Sequence, residues 1–515
     1  MSQLCSADHP MKTVNVKRTN VTLHPDRTRV LLRPFHFMSD QRAITICSEV
    51  AALPEGEVRV LLEQMLAEFG ERHQNIHEFL RRRFDEVQPY LLKQPKVGES
   101  FRRQSDDVRS GLVAGERLSE ERELLLGGYF SHEYSLEAAA LFNPSIVAHP
   151  DQSGLAPGSL RFILSLRATG EGHISSITFR TGVLDAQCNI TIDDPSRYCL
   201  EPAPVPNATY DKRQFEGKLS ALGLAGGFSQ QILKTLGDSF TLDELHSSIG
   251  LAVRQLRIPN METEEVGRRI LALARSNYEV QFAPDSRLSE RVLFPATPSQ
   301  SNGIEDARFV RFHDEDGSRT YYATYTAYDG KTVQPQFLET PDFLHFKFTT
   351  LSGPAVENKG MALFPRKIKG RYAMLSRQDA GNIYVMFSDH LHFWHEARLV
   401  LKPAFPWEFV QLGNCGSPIE TDTGWLVISH GVGPMRKYCI GAFLLDHDDP
   451  TKVIGRLREP PIKPNKDERE GYVPNVVYSC GSLVHEGQLI IPYGISDYAT
   501  TFAALPLNEV LAAME

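Results

Sequence analysis

Apolar residues along the chain follow two different periods. Between about residues 40 and 125 they recur at i, i+3 and i+4, as in Val58-Leu61-Leu62-Met65-Leu66-Phe69 and Ile76-Phe79-Leu80-Phe84. That spacing predicts amphipathic helices and marks residues 1–137 as a mostly helical N-terminal extension. From residue 138 the apolar positions instead gather into short runs divided by Gly, Asp and Asn, the pattern of strands and tight turns. A second helical stretch, about 205–280, interrupts them. It contains Ile232-Leu233-Leu236, the capping sequence Thr241-Leu242-Asp243-Glu244, and Val266-Ile270-Leu271-Leu273-Ala274.

The β-rich part repeats. Units open at Asn143-Pro144-Ser145-Ile146-Val147, Glu305-Asp306-Ala307-Arg308-Phe309, Lys359-Gly360-Met361-Ala362-Leu363, Cys415-Gly416-Ser417-Pro418-Ile419 and Val473-Pro474-Asn475-Val476-Val477. Their second strands fall at Phe162–Leu166, Tyr321–Tyr325, Tyr372–Leu375, Trp425–Ile428 and Leu489–Pro492. Repeating strand–turn–strand units predict a mainly β fold. The expectation is a five-bladed β-propeller over 138–515, with the helical insert between its first two blades. In such a fold the first strand of each blade lines the axis. Asn143, Asp306, Lys359, Asn414 and Asn475 are then expected to face one funnel. Arg167, Tyr328, Arg377, His430 and Asp497, just past the second strands, form an outer ring.

Bulk properties restrict what the funnel holds. The 515 residues are 41% hydrophobic and 23% charged, as in an ordinary globular protein, and too many for one small core. A formal charge of −9 argues against nucleic acid, so any anion site must be built locally. The seven cysteines are scattered, with no CxxC pair, which predicts neither a disulfide framework nor a metal site. No apolar leader or membrane-length run is evident, so a cytoplasmic protein away from the membrane is expected.

The chemistry concentrates on Glu305-Asp306-Ala307-Arg308. Two carboxylates and a guanidinium at a strand start are costly to bury without a task. Asp306 is the candidate acid. Arg308 orients it or keeps its neighbour ionised, and Glu305 touches a ligand or pairs with Arg308. Lys359 and Arg377, with Arg436 or Lys437, supply cations, and His430 supplies a switchable donor. With no second carboxylate at a matched position, the set suits a nucleophile that is already anionic. Inorganic phosphate needs no base and binds Lys and Arg, so phosphorolysis of a glycosidic bond is the reaction this set suits.

Several stretches resemble glycoside hydrolase family 130, the mannoside phosphorylases and related β-mannosidases. They are Gly303-x-Glu305-Asp306-x-Arg308, Leu363-Phe364-Pro365-Arg366 through Tyr372, Gly424-Trp425-Leu426 leading to His430-Gly431-Val432, and Leu444-Leu445-Asp446 before Asp449-Pro450. The resemblance covers roughly 138–510, and Ala307 departs from the proline common in the family. The N-terminal extension and the Arg167–His173 stretch are similar to its longer members, including 1,2-β-oligomannan phosphorylases. The resemblance implies an inverting single displacement without cofactor or metal, with inorganic phosphate as co-substrate. Asp306 acts as general acid, its proton passing through a mannose hydroxyl. Lys359 and Arg377 bind phosphate, helped by His430, Arg436 and Tyr438. Asn143, Arg167, His173, Glu305, Arg308, Tyr325 and Asp497 contact sugar. The substrate is a β-1,2-linked mannoside and the product α-mannose 1-phosphate. The helical segments shape the rim or support homo-oligomerisation. A β-mannoside hydrolase on the same fold and a non-catalytic glycan-binding propeller are the alternatives.

Overall fold

The computed structural model describes residues 14–37, 39–93, 117–206, 208–255, 261–379 and 381–515. The helical reading over 40–125 and the insert reading over 205–280 therefore lie partly outside the described residues, at 94–116, 207 and 256–260. Cys5 and the residues that bear on a leader also lie outside them. Among the described residues no helix is long and apolar enough to cross a membrane.

The chain forms two compact units, one of residues 26–136 with 196–200, the other of 1–25, 137–195 and 201–515. In the smaller unit Val30–Pro34 pairs with Ser131–Ser135 beside helices Asp40–Ala51, Glu55–Phe69, Ile76–Leu91 and Glu120–Tyr129. The predicted stripes face inward: Val58, Leu62, Ile76, Leu80 and Phe84 are buried. Arg122 donates to the carbonyls of Val50, Ala51 and Leu53 and so satisfies the open end of the first helix.

The larger unit is mainly β. Among the described residues most of its strands follow one another in five antiparallel runs. The first contains Ala140–Ala148, Leu160–Thr169 and Ser175–Leu184. The second contains Gly303–His313, Arg319–Tyr328, Val333–Thr340 and His345–Thr350. These two runs share one sheet, joined where Gly303 lies parallel to Ser175. The third runs from Ala362–Leu363 through Tyr372–Ser376 and Ile383–Ser388 to Ala397–Leu401. The fourth is built on Gln411–Asn414, Gly424–Val432, Tyr438–Leu445 and Val453–Arg456. The fifth contains Val477–Tyr478, Gln488–Ile495 and Ala499–Pro506. Helices Lys212–Ala221, Gly227–Lys234, Leu242–Gln255 and Met261–Arg275 lie between the first and second runs. They bury Phe215, Leu219, Ile232, Phe240, Leu245 and Ile270 in a core of their own.

The outermost partner of the fifth run is Lys17–Leu23, which pairs with Ala499–Pro506. The boundary read at 137/138 leaves this strand in the extension. Its partner lies some 480 residues away in sequence, so no local pattern ties the two together. Glu468 fastens the strand. Its carboxylate accepts from Arg18 Nε at 3.0 Å and from the Tyr493 hydroxyl at 2.6 Å, and the residue is 5% exposed. Glu468→Ala leaves Arg18 Nε and the Tyr493 hydroxyl without their acceptor and is expected to destabilise the protein by about 2–3 kcal/mol. Denaturant unfolding of variant and wild type measures this; a loss below about 0.5 kcal/mol contradicts a tying role.

Candidate active site

Two strands that start at the pocket carry the same distortion. The register between Ala140–Ala148 and its neighbour slips between Phe142 and Ser145, and that of Gly303–His313 slips between Glu305 and Arg308. At each bulge a non-glycine residue takes a left-handed backbone: Asn143 at φ 49° and Asp306 at φ 54°. A bulge inserts one residue and re-aims its side chain. The outcome here is direct, for Asn143 Nδ2 donates to Asp306 Oδ1 at 2.6 Å.

Arg167 completes the group. Its Nη1 donates to Asp306 Oδ1 at 3.2 Å and its Nη2 to Glu305 Oε1 at 2.7 Å. Nε is held by Ser175 Oγ at 2.9 Å, and the guanidinium lies 5.0 Å from the centre of the Phe142 ring. Glu305 therefore pairs with Arg167 and not with Arg308, three residues along its own strand. Arg308 turns the other way, toward neutral partners: the Tyr478 hydroxyl at 2.7 Å, Asn414 Oδ1 at 3.2 Å and the Met361 carbonyl at 3.4 Å. Gly360, at φ 89°, would place a Cβ 3.2 Å from Arg308 Nη1, so a side chain there would be strained and crowded.

These groups line a cavity of about 350 Å³. Of the expected site residues, Asn143, Arg167, Glu305, Asp306, Arg308, Tyr325, Lys359, Arg377, His430, Arg436, Tyr438 and Asp497 all line it. His173 does not; it is exposed, with Nδ1 3.2 Å from the Tyr472 hydroxyl. Lys437 and Tyr328 also lie outside the lining. Asn414 sits behind Arg308, and Asn475 accepts from Arg469 Nε. Tyr325 lines the wall with its hydroxyl already committed, donating to Gln336 and accepting from Gln300. Sequence reasoning missed Tyr478 and Gln411. Both follow ordinary strand patterns, and their roles appear only through partners in other runs.

The sequence reading counts one acid in the pocket; the structure brings three, Glu305, Asp306 and Asp497, among five cations. Burial alone raises the Asp306 carboxyl. Arg167, Lys359, the Asn143 hydrogen bond and Arg308 outweigh it and hold the group below the ordinary aspartate range. Burial chiefly, with Asp306 beside it, raises Glu305 despite Arg167. Burial, reinforced by Asp306, raises Asp497 to about 6 although Arg167 opposes it.

His430 was expected to switch charge. It is 2% exposed, and burial followed by the charges of Arg377 and Arg308 keeps it neutral, well below the usual imidazole range. Its Nε2 is 3.2 Å from Gln411 Nε2, its ring stacks on Tyr438 at 5.9 Å, and Tyr478 meets it edge-on at 4.8 Å. Arg377 is 7% exposed and its Nε has no hydrogen-bond partner. Two buried guanidiniums, Arg308 and Arg377, thus face the cavity without a carboxylate within 4 Å among the described residues.

A pocket of this composition on a mainly β unit defines a site for a polar ligand with an anionic part. The family model described as beta-1,4-mannooligosaccharide phosphorylase matches residues 260–515. The chain is 38% identical over 232 residues to a 1,2-beta-oligomannan phosphorylase of Thermoanaerobacter sp. (strain X514), covering 44% of this chain and 75% of the relative. It is 30% identical over 259 residues to a beta-1,2-mannobiose phosphorylase of Listeria innocua, covering 48% and 68%. The solved structure of beta-1,2-mannobiose phosphorylase from Listeria innocua, in complex with beta-1,2-mannobiose, aligns with a TM-score of 0.44 at 24% identity, over 73% of this chain and 92% of that one. The chain belongs to glycoside hydrolase family 130.

The raised Asp497 has a consequence for stability. In the unfolded chain the group ionises near 3.8, in the folded protein near 6, so the folded state binds the extra proton and stability falls as pH rises between these values. Asp497→Asn removes this cost. The variant is expected to gain about 1–2 kcal/mol over wild type at pH 8 and nothing at pH 3.5. Denaturant unfolding at the two pH values measures it; an equal difference at both contradicts the raised pKa.

Proposed function

We propose that the protein is an inverting glycoside phosphorylase that cleaves β-1,2-linked mannosides with inorganic phosphate and releases α-mannose 1-phosphate. The relatives named above supply the substrate class. The observation that carries phosphorolysis over hydrolysis is Arg377: buried, lining the cavity, beside Arg308, and without a carboxylate in ion-pair contact among the described residues. Buried cations need an anion, and a phosphate dianion fits that need, while water does not.

In this reading the five antiparallel runs are propeller blades around one axis, closed by the pairing of Lys17–Leu23 with Ala499–Pro506. The helices between the first two runs form an insert, and the smaller unit, residues 26–136, corresponds to the helical extension. Phosphate sits on Lys359, Arg377 and Arg436, with neutral His430 and Tyr438 as further donors. Asn143, Arg167, Glu305 and Asp497 hold the sugar. A phosphate oxygen attacks the anomeric carbon as its bond to the glycosidic oxygen breaks. Configuration inverts, and the departing oxygen takes a proton from Asp306 by way of a mannose hydroxyl.

The low pKa of Asp306 agrees with this role once phosphate is considered. Lys359 is among the charges that depress it, and a phosphate dianion on Lys359 offsets that charge. Burial then raises the carboxyl toward a range in which it donates a proton. No separate cofactor enters. Cys47, Cys188, Cys415, Cys439 and Cys480 are free thiols, which fits a reducing, cytoplasmic setting.

Product analysis tests the reaction. With β-1,2-mannobiose and phosphate, mannose 1-phosphate is expected; phosphate-independent release of free mannose overturns the reading in favour of a hydrolase. Asp306→Asn is expected to lower kcat by about 10²–10⁴. Arg377→Met is expected to raise the phosphate KM by about 10–100-fold, the worth of a hydrogen bond to a charged group, with little effect on the mannoside KM. Equal effects on both KM values contradict the assignment.

A further inference from the structure

His173 and Tyr472 lie 299 residues apart in sequence and meet outside the cavity. Their rings are 5.7 Å apart and inclined by 32°, and Tyr472 is 54% exposed. Both sit on segments anchored to the pocket wall. His173 lies in the turn between Leu160–Thr169 and Ser175–Leu184. The turn is closed by the pair Thr169 and Ser175; Ser175 Oγ also accepts from Arg167 Nε at 2.9 Å, and Arg167 is the residue that holds Glu305 and Asp306. Tyr472 lies in the segment leading to Val477–Tyr478. Val473 N donates to the Ser496 carbonyl at 2.9 Å, and a Cβ on Gly471 would lie 2.7 Å from Ser496 Cβ and 3.1 Å from Tyr498 Cβ. The segment is therefore pressed against Ser496–Tyr498, on either side of pocket-lining Asp497.

The segment is held in place. Ser496 Oγ donates to the Glu468 carbonyl at 2.7 Å, Glu468 is fixed by Arg18, and Arg469 Nε is fixed by Asn475. Next to it Tyr498 is 39% exposed and lies 6.1 Å from the exposed ring of His24. Aromatic side chains held at fixed orientation and left open to solvent beside a cavity are suited to bind, because they present a rigid, partly apolar face at low entropic cost. The ring of a β-mannosyl unit has a matching face of axial C–H groups, and the Tyr472 hydroxyl and the His173 imidazole at the platform's edge are polar groups of the kind that bind sugar hydroxyls.

We infer that Tyr472 and His173, with Tyr498 beside them, form an accessory subsite that takes a mannosyl unit of an oligosaccharide beyond those held in the cavity, and so sets a preference for longer chains. This rests on the mannoside phosphorylase reading and adds chain length to it. The cavity residues position the bond that breaks; the platform acts on the part of the chain that reaches past Asp497. Phosphate binding is independent of it, since Lys359 and Arg377 do not touch these side chains.

The test compares kcat/KM for β-1,2-mannobiose and β-1,2-mannotetraose at saturating phosphate in wild type, Tyr472→Ala, His173→Ala and Tyr472→Phe. Tyr472→Ala is expected to lower kcat/KM for the tetraose about tenfold, the worth of the stacked area, and to change mannobiose less than twofold. His173→Ala shifts the ratio in the same direction, Tyr472→Phe retains most of the preference, and the phosphate KM stays constant in all three. A wild type active on both substrates, with a ratio unchanged by Tyr472→Ala, overturns the subsite alone. Parallel loss on both substrates also overturns it, since that marks a structural role. A wild type that phosphorolyses neither substrate overturns the parent reading and this one with it.

Discussion

The site depends on how buried charge is shared around Asp306. Arg167 serves two carboxylates at once, Glu305 and Asp306, and so offsets part of the charge on the acidic side of the cavity. Arg308 is held by a phenol, an amide and a carbonyl, and Arg377 has an unsatisfied Nε. On the cationic side neither guanidinium has a carboxylate within ion-pair distance among the described residues, although Asp306 acts on both through space. A protein with a net charge of −9 has many carboxylates to place there, and none of those described lies within ion-pair distance. Desolvated guanidiniums are costly unless something anionic binds them, so the imbalance is a specification for a ligand.

The backbone carries the matching constraint. Asn143, Asp306 and Asp497 all adopt positive φ, and each presents its side chain to the same cavity. Left-handed non-glycine residues cost on the order of 1 kcal/mol each and persist where surrounding structure over-determines them. Here the sheets do so, because each residue lies within or directly beside strands held in antiparallel pairing. The same strands bury Ile146, Ile304, Phe309 and Ile491 almost completely, which anchors the distortion in a packed core.

Much of this was legible in the sequence because it is local. The apolar stripes of helices 55–69 and 76–91, the runs holding Phe162–Leu166 and Tyr321–Tyr325, and the density of charge at Glu305–Arg308 all mark their own neighbourhoods. What could not be read depends on partners far away in sequence. Arg308 looks like the partner of Glu305 from three residues along the strand, but a bulge between them sends their side chains to different neighbours. Asp497 is placed in the ring by the repeat, but its raised pKa depends on burial and on Asp306, which lies far away in sequence. His430 looks like a titrating histidine until its burial beside two guanidiniums is known. The strand Lys17–Leu23 carries no sign of a partner near residue 500.

In the proposed mechanism Arg377, with Lys359 and Arg436, binds a phosphate ion. The most direct measurement is a calorimetric titration of the protein with inorganic phosphate, without sugar, in wild type and Arg377→Met. Saturable 1:1 binding to wild type is expected, weakened about tenfold or more in the variant. Absence of binding to wild type at millimolar phosphate, or equal binding to both proteins, would contradict it.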